Sequence, residues 1–334
     1  MSDFNKLDNE YILLTGGAGY IGSAISYYLL NDNKNIIIVD NLSKSNNVNL
    51  EKLPNKDNLI FFNVDCCDYN QMNNIFEQYK ISTIIHLAGY KAVSESIEYP
   101  IIYYENNIVS SINILKLASM YKVKKFIFSS SCTVYGAQLS PLVEETRTGF
   151  GITNPYGMSK YIIETMIKDF ALINISIQII ILRYFNPVGS VNNGQIIENP
   201  KDIPNNLIPV VLRNYINKTP ILIFGKDYNT IDGTPARDYI HIEDLALGHI
   251  KAIDYDNKDN NLSIFNLGTG KSYTVLEVLK TFEKVNNISL NYKFVDRRPG
   301  DLENVYCDPQ KSYNLLGWKA NRDLEEMCDF TYLI

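Results

Sequence analysis

The chain has 334 residues, of which 46% are hydrophobic and 20% are charged, and its formal net charge is −6 at pH 7. This composition is typical of a globular protein that can bury a large core and has room for two lobes. An acidic balance argues against binding to a phosphate backbone, so nucleic acid is not an expected partner.

The start of the chain, its most apolar run and its cysteines predict the cellular compartment of the protein. The start, MSDFNKLDNE, has neither the basic nor the apolar region of a secretory signal, and the most apolar run, residues 175–185, is broken by Arg183. No membrane contact is therefore expected. Five cysteines without a Cys-x-x-Cys pair suit a reducing compartment, which predicts a cytoplasmic protein. His86, His241 and His249 lack metal-site spacing and are expected to pack or to cap helices, so no metal is predicted.

Short β-rich runs alternate with helical patterns over the first half of the chain, which is the pattern of parallel βαβ units. The runs are almost continuously apolar, as expected for strands that are covered on both faces. They predict strands at residues 11–17, 35–41, 59–65, 83–88, 125–131 and 177–185. Helices are predicted at about 20–31, 69–80, 98–121 and 155–173. The predicted fold is therefore α/β, with a Rossmann-type doubly wound parallel sheet.

After Phe185 the chain becomes rich in Asn, Pro and Gly, and shorter elements follow. They predict a smaller α+β lobe that binds the substrate, with a capping box from Thr274 to Glu277. Its strands are predicted at 221–225 and 237–242, and its helices near 243–254 and 274–285. We divide the chain into a cofactor-binding domain and a substrate domain, at residues 1–186, with a returning segment near 237–265, and 187–334.

The stretch TGGAGYIGS joins the first predicted strand to the first helix. Gly16 suits a tight turn, Gly19 lets backbone N–H groups approach a pyrophosphate, and Gly22 lets the helix pack on the strand. Asp40, at the end of the second strand, can accept hydrogen bonds from ribose hydroxyls and would repel a 2′-phosphate, which favours NAD over NADP. Asp65 ends the third strand in the same topological position and can reach an adenine.

A Tyr-x-x-x-Lys spacing occurs twice, in Tyr121 with Lys125 and in Tyr156 with Lys160. Chance gives about two such matches at this content of tyrosine and basic residues, so the spacing alone proves nothing. The first pair is divided between a helix end and a strand start. The second follows an Asn-Pro helix start and shares one helix face, so we expect Lys160 to lower the pKa of Tyr156 and make it a general base.

Ordered motifs along the chain resemble the UDP-glucose 4-epimerases, which are extended short-chain dehydrogenases/reductases. The motifs are TGGAGYIGS, DNLS, HLAGYKAV, SSSCTVYG, NPYGMSK, LRYFNPVG, IPNNLIP, DGTPARDYIHIEDLA, NLGTG and RRPGDL. The resemblance covers about residue 11 to 330. It implies a tightly held NAD that takes a hydride from carbon 4 of a UDP-hexose and returns it to the other face, which interconverts UDP-glucose and UDP-galactose in galactose metabolism.

The resemblance also implies roles for individual residues. Tyr156 would remove the proton of the sugar 4-hydroxyl, Ser131 would bridge that hydroxyl and the phenol, and Lys160 would also bond the nicotinamide ribose. Lys91 would contact the pyrophosphate and Asn106 would support the crevice. The implied NAD-binding residues are Gly16, Gly19, Tyr20, Ile21, Gly22, Asp40, Asn41, Asp65, Cys66, Leu87, Ala88, Gly89, Lys91, Asn106, Ser129, Tyr156, Lys160 and Tyr184. Those implied for the nucleotide-sugar are Ser131, Tyr156, Phe185, Asn186, Asn206, Leu207, Phe224, Arg237, Arg298, Asp301 and Val305.

The chain departs from the family pattern at one informative position. Val305 stands where epimerases restricted to glucose and galactose carry a bulky tyrosine. A smaller side chain there predicts turnover of UDP-N-acetylglucosamine and UDP-N-acetylgalactosamine as well. The resemblance further implies a homodimer that pairs through the helices at 98–121 and 155–173.

Two alternative functions stay open. One is a sister enzyme of the same fold, such as a uronate epimerase, a decarboxylase or a dehydratase. Dehydratases carry an acid pair where this chain has Cys132 and Thr133, which favours epimerisation. The other is a non-catalytic scaffold that binds NAD, which the intact Ser131, Tyr156 and Lys160 disfavour.

Overall fold

The computed structural model describes residues 9–201, 204–298 and 300–333. Its strands are β1 (Glu10–Thr15), β2 (Ile36–Val39), β3 (Leu59–Phe62), β4 (Lys80–His86), β5 (Lys125–Ser131), β6 (Gln178–Tyr184), β7 (Asn186–Val188), β8 (Ile221–Phe224), β9 (Ala236–His241), β10 (Leu262–Leu267), β11 (Ser272–Thr274), β12 (Tyr292–Val295) and β13 (Asn304–Val305). Its α-helices are α1 (Tyr20–Asn31), α2 (Val48–Glu51), α3 (Tyr69–Gln78), α4 (Val93–Glu98), α5 (Pro100–Met120), α6 (Pro155–Ile173), α7 (Leu207–Ile216), α8 (Ile242–Asp254), α9 (Val275–Asn286) and α10 (Leu324–Cys328).

The main sheet contains seven strands over the described residues, in the order β10-β6-β5-β4-β1-β2-β3. Each neighbouring pair is parallel. The order reverses between β1 and β4, and the connections on either side of that point run to opposite faces, which opens a crevice at the carboxyl ends of the strands. The predicted doubly wound sheet is confirmed.

Two apolar cores cover the two faces of this sheet. Successive side chains of a strand point to opposite faces, so neighbouring residues of β1 belong to different cores. Leu14 packs in one core with Ile38, and Leu13 packs in the other with Ile37. Helices α1 and α8 cover the first face, and α3, α5 and α6 cover the second. Burial on both faces explains why these strands are continuously apolar.

The chain returns to the main sheet after the smaller lobe has begun. Helix α8 packs against α1, and β10 adds to the sheet edge beside β6. In the smaller lobe, before and after these returns, β9 pairs with β7, β11 and β13, and β8 pairs with β12. The core of this smaller lobe is formed by side chains that include Val211, Ile223, Leu279 and Phe282.

Several predicted elements agree closely with the structure, and others differ. The bounds predicted for β5 and α6 are those observed. The predicted helix at 98–121 is divided at Tyr99, because the residue before Pro100 is disfavoured in the helical conformation, so α4 ends and α5 begins there. Helix α7, which starts at the end of the Asn- and Pro-rich stretch, was not predicted.

Candidate active site

A deep cleft lies at the carboxyl ends of the main strands, where the strand order reverses. Its volume is about 1650 Å³. The pocket of one small ligand usually measures about 300–1,000 Å³, so the cleft has room for a cofactor and a substrate together. Every residue predicted to bind NAD lines it, namely Gly16, Gly19, Tyr20, Ile21, Gly22, Asp40, Asn41, Asp65, Cys66, Leu87, Ala88, Gly89, Lys91, Asn106, Ser129, Tyr156, Lys160 and Tyr184.

The glycine turn forms one wall of the cleft. Gly16 has a φ of +68°, and a Cβ there would come within 2.8 Å of the Ala88 backbone. A Cβ on Gly22 would lie 2.5 Å from the Cα of Gly17, whereas a Cβ on Gly19 would meet a carbonyl oxygen at 3.3 Å. The protein itself therefore excludes side chains at Gly16 and Gly22. Gly19 is the N-cap of α1, where backbone N–H groups can receive a phosphate.

Acidic side chains follow β2 and β3 beside this turn. Asp40 accepts hydrogen bonds from the N–H groups of Ala18 at 3.1 Å and Leu42 at 2.9 Å. Asp65 accepts one from the side-chain amide of Asn41 at 2.8 Å. Carboxylates held at these strand ends suit ribose hydroxyls and an adenine amine. The turn and the carboxylates together fit NAD.

The predicted catalytic residues come from β5 and α6. Ser131 ends β5, and α6 begins at Pro155 behind Asn154, whose side chain caps the first turn of the helix. The cap fixes the start of the helix, so Tyr156 and Lys160 lie one turn apart on the same face. All three predicted catalytic residues line the cleft.

Lys160 is buried at the base of this group. Its ammonium donates a 2.7 Å hydrogen bond to the main-chain carbonyl of Ser129 and lies 4.9 Å from the ring centre of Phe128. Burial lowers the pKa of Lys160 to about 8, and the negative charge of Glu164 opposes that effect. The ammonium is therefore charged at neutral pH and loses its proton only slightly above it.

The pKa of Tyr156 differs from the expectation. Burial raises the pKa of Tyr156 to about 12, and a hydrogen bond with Ser131 opposes part of the rise. The expectation that Lys160 lowers the pKa of Tyr156 is wrong, because desolvation of the buried phenolate is the largest effect on that pKa. The Lys160 ammonium bonds the Ser129 carbonyl instead, and the protein by itself raises the pKa of Tyr156 above its ordinary value.

Lys91 and Asn206 approach the cleft from different lobes. Lys91, predicted to contact the cofactor, forms an ion pair of 2.6 Å with Oε1 of Glu198. Asn206, predicted for the nucleotide-sugar, donates a 2.7 Å hydrogen bond to the same oxygen. Sequence reasoning missed Glu198, because it lies in the Asn- and Pro-rich stretch where no periodicity marks a position.

The residues predicted for the nucleotide-sugar fall into two groups. Phe185, Asn186 and Asn206 line the cleft together with Ser131 and Tyr156. The others lie outside that lining and are Leu207, Phe224, Arg237, Arg298, Asp301 and Val305. Leu207 starts α7 directly after Asn206.

Asp301 joins two arginines into an arginine cluster with Phe224. Its carboxylate lies 3.4 Å from the guanidinium of Arg237 and 3.1 Å from that of Arg298. The Arg298 guanidinium lies 5.3 Å from the ring centre of Phe224. Asn186 connects the cluster to the cleft, because its amide donates a 2.9 Å hydrogen bond to the main chain of β9 next to Arg237.

Val305 lies behind the wall of the cleft. It pairs with Arg237 across the β13–β9 ladder and is only 8% exposed. It belongs to the same apolar cluster as Phe185, which lines the cleft, and Cys307. A larger residue at this position would therefore press on the cluster that contains Phe185.

A buried polar network lies beneath β5 and was not predicted. Glu164 accepts hydrogen bonds from Ser130 at 2.6 Å and from Arg183 at 2.9 and 2.7 Å. Arg183 also donates to the hydroxyl of Tyr135 at 2.9 Å. The signal available in the sequence was the position of Glu164, one helical turn after Lys160.

The histidines have structural positions, as predicted. His86 is buried between the hydroxyls of Thr15 and Ser111, and burial lowers the pKa of His86 to about 3. His241 caps α8, and His249 bonds the hydroxyl of Tyr184.

No group of three His, Cys, Asp or Glu side chains placed to hold a metal occurs among the residues that the structure describes. In that part of the chain, no helix is both long and apolar enough to span a bilayer.

The doubly wound sheet, the glycine turn and the grouping of Ser131, Tyr156 and Lys160 in one cleft define an enzyme of the NAD-dependent short-chain dehydrogenase/reductase class. Within that class, the chain belongs to the NAD dependent epimerase/dehydratase family, which it matches over residues 12–268.

The chain is also similar to several individual proteins over nearly its whole length. A UDP-glucose 4-epimerase of Pasteurella multocida is 46% identical over 325 residues, which is 96% of each chain. The crystal structure of the Bifidobacterium longum UDP-glucose 4-epimerase in complex with NAD+ and UDP is 42% identical, with a TM-score of 0.90, and covers 95% of this chain and 96% of that one. The UDP-Glc/GlcNAc 4-epimerase of Campylobacter jejuni is 35% identical, with a TM-score of 0.83, and covers 97% and 98%.

Proposed function

We propose that this protein interconverts UDP-glucose and UDP-galactose by transient NAD-dependent oxidation at carbon 4 of the hexose. The observation that carries the proposal is the meeting of Ser131, Tyr156 and Lys160 with the glycine turn in one cleft large enough for two ligands. Relatives that cover nearly the whole chain and are named UDP-glucose 4-epimerases support it. In this proposal, residues 1–186 with the returning segment hold NAD, and residues 187–334 hold the sugar nucleotide.

Tyr156 is the general base that removes the proton of the 4-hydroxyl. To ionise near pH 7, a phenol whose pKa is about 12 needs about 7 kcal/mol of added stabilisation of its anion. An ammonium at about 4 Å and an effective dielectric near 20 supplies about 4 kcal/mol, so Lys160 is not sufficient by itself. When bound, oxidised NAD supplies the acceptor for the carbon-4 hydride and a second positive charge beside the phenol.

Ser131 and Lys160 position the phenol of Tyr156 and the sugar 4-hydroxyl for proton transfer. The Ser131 hydroxyl donates to the phenolate and lowers the pKa of Tyr156, and its oxygen can accept from the sugar 4-hydroxyl, so that the proton leaving the sugar passes through Ser131 to the phenolate. Lys160 is fixed by the Ser129 carbonyl at 2.7 Å, and its remaining donors can serve the phenolate and a ribose hydroxyl. Burial of the group excludes water and strengthens each of these interactions.

The arginine cluster lies beside the cleft, to which Asn186 connects it, and we assign it to the UDP part of the substrate. Two guanidiniums held by one carboxylate suit a diphosphate, because planar forks bond phosphate oxygens in pairs. Asp301 can then accept ribose hydroxyls, and the ring of Phe224 can cover the uracil. Asn206 and Leu207 form the start of α7, whose N-terminus favours a phosphate.

Val305 widens the range of sugars, so we propose turnover of UDP-N-acetylglucosamine and UDP-N-acetylgalactosamine. The Campylobacter jejuni relative named as a UDP-Glc/GlcNAc enzyme supports this range in the family. Val305→Tyr is expected to lower turnover of the acetamido sugars at least tenfold and to leave UDP-glucose turnover within threefold. Equal losses on both sugars, or no activity of the native protein on the acetamido sugars, would refute the role of Val305.

We also propose a cytoplasmic homodimer that pairs through α5 and α6. These helices pack together and leave apolar residues at the surface, among them Ile101 at 70% exposure and Ile173 at 82%. Ile101→Glu is expected to convert a species of twice 38.1 kDa into a monomer in sedimentation velocity. Ile231→Glu, at a residue of the smaller lobe that is 82% exposed, is the control and should not change the mass.

The activity is tested by incubating purified protein with UDP-galactose and its N-acetyl analogue without added NAD. UDP-glucose as product, with NAD released on denaturation, is the expected result. A 4-keto-6-deoxy product would instead identify a dehydratase, although Cys132 and Thr133 provide no acid after Ser131 and burial raises the pKa of Cys132 to about 11. NAD binding without any turnover would favour the scaffold.

A further inference from the structure

Glu198 occupies the junction between the two lobes inside the cleft. Its Oε1 receives the ammonium of Lys91 at 2.6 Å and the amide of Asn206 at 2.7 Å. Lys91 follows β4 of the main sheet, and Asn206 precedes α7 of the smaller lobe. One carboxylate oxygen thus joins a predicted cofactor-binding group to a predicted substrate-binding group.

Each partner of Glu198 can bond a ligand at the same time. An ammonium carries three donors and an amide nitrogen carries two, so bonding to Glu198 uses one donor of each. The side chain of Glu198 is only 10% exposed, whereas that of Lys91 is 55% exposed, so the carboxylate is the fixed member of the pair and the ammonium keeps access to the cleft. The geometry of Glu198 therefore constrains where both donors can present their remaining N–H groups.

The segment around Glu198 is itself anchored on the cofactor side. Asn49 donates to the carbonyl of Ile197 at 3.1 Å, and Asn46 donates to that of Asn199 at 3.2 Å. The ammonium of Lys201 donates to the carbonyl of Leu42 at 2.9 Å. The stretch 197–201 is thus bonded to the loop that follows Asp40. A ligand that orders the NAD side of the cleft therefore also orders the segment that carries Glu198.

We propose that Glu198 is a positioning residue that couples NAD retention to nucleotide-sugar binding by orienting Lys91 and Asn206 together. The inference rests on the proposed function, because it assigns NAD to one side of Glu198 and UDP to the other. A ligand that fixes one donor orders the carboxylate and thereby lowers the entropy cost of binding the second ligand. By linkage, each ligand then strengthens the binding of the other by the same factor.

The test measures the rate of NAD release with and without saturating UDP, and the affinity for UDP by calorimetry. In the native protein, UDP is expected to slow NAD release by about fivefold or more. Glu198→Gln keeps an oxygen for Asn206 but removes the charge that holds Lys91. It is expected to release NAD faster, to reduce the effect of UDP below twofold and to keep UDP affinity within threefold. Glu198→Ala is expected also to weaken UDP about tenfold.

The matched control is Glu145→Gln, at an exposed glutamate that pairs with Lys311 at 3.1 Å outside the cleft. It should preserve the native ratio of release rates. If Glu198→Gln binds NAD and UDP and also keeps that ratio, the coupling role is refuted while the proposed function stands. If the native protein holds no NAD or does not bind UDP, the proposed function and this inference both fail.

Discussion

The buried ammonium of Lys160 donates its 2.7 Å hydrogen bond to the main-chain carbonyl of Ser129, on the strand that ends at Ser131. A lysine held in this way is positioned by the backbone of β5 and does not depend on the phenol for its placement. Burial lowers the pKa of Lys160. The mechanism therefore depends on whether this lysine keeps its proton.

Activity is expected to be highest near pH 8. Tyr156, with its pKa raised to about 12, ionises more readily as pH rises, so the rate increases. Lys160, with its pKa lowered to about 8, loses its charge as pH rises through that value, so the rate then falls. A profile of kcat/KM for UDP-galactose measures both limbs. In Lys160→Arg the alkaline limb should disappear, because a guanidinium stays charged. An unchanged alkaline limb in this variant would assign it to another group.

Tyr156→Phe is expected to lower kcat about 10²- to 10⁴-fold, because the base is removed while the shape is kept. NAD content and UDP affinity should stay near native values. The second Tyr-x-x-x-Lys pair offers the matched control, since Tyr121 lies at the end of α5 and donates to Asn73 at 3.0 Å, away from the cleft. Tyr121→Phe should change kcat less than twofold. Equal effects of the two substitutions would show that Tyr156 is not the base.

Gly19→Ala is expected to separate cofactor binding from folding. A Cβ at Gly19 would meet the carbonyl oxygen of Gly16 at 3.3 Å, a tight contact that a small backbone shift relieves, but it would stand where a pyrophosphate approaches α1. Thermal unfolding without ligand should change little, whereas the NAD recovered by extraction should fall at least tenfold. Gly22→Ala, where a Cβ would lie 2.5 Å from Gly17, should lower both stability and NAD content. Normal NAD content in Gly19→Ala would remove this glycine from the cofactor site.

Glu164→Gln is expected to destabilise the fold by about 3–5 kcal/mol, because it leaves the buried charge of Arg183 without an opposing carboxylate. Urea unfolding of ligand-free protein measures this loss. Replacing both Glu164 and Arg183 by methionine should cost less than the single change, since no lone charge remains. Glu145→Gln, at an exposed ion pair, should cost less than about 1 kcal/mol. A double variant that is less stable than Glu164→Gln would contradict this explanation.

The elements that the sequence predicted best are those whose signals are local. The bounds of α6 follow from Asn154 and Pro155, which cap and start the helix without help from distant residues. The capping box from Thr274 to Glu277 is confirmed for the same reason. The glycine turn was also recognisable, because a strand-to-helix connection that leaves no space for a Cβ restricts the residue types in a short stretch.

Other features depend on residues that are far apart in the chain. Glu198 lies in a stretch rich in Asn and Pro, which is held by contacts with loops more than a hundred positions earlier in the chain. The motifs were sufficient to name the residues of the arginine cluster. Its position outside the cleft lining depends on the pairing of β9 with β13, which joins residues that are far apart in the chain.

The types and spacing of Gly16, Gly19, Gly22, Tyr156 and Lys160 were sufficient to place a dinucleotide turn and a catalytic helix in the chain, because short-range geometry determines both. The acid–base properties of that helix required the folded chain. Desolvation of Tyr156 and Lys160 depends on how completely the two lobes and the sheet exclude water around them, and no local pattern encodes that quantity.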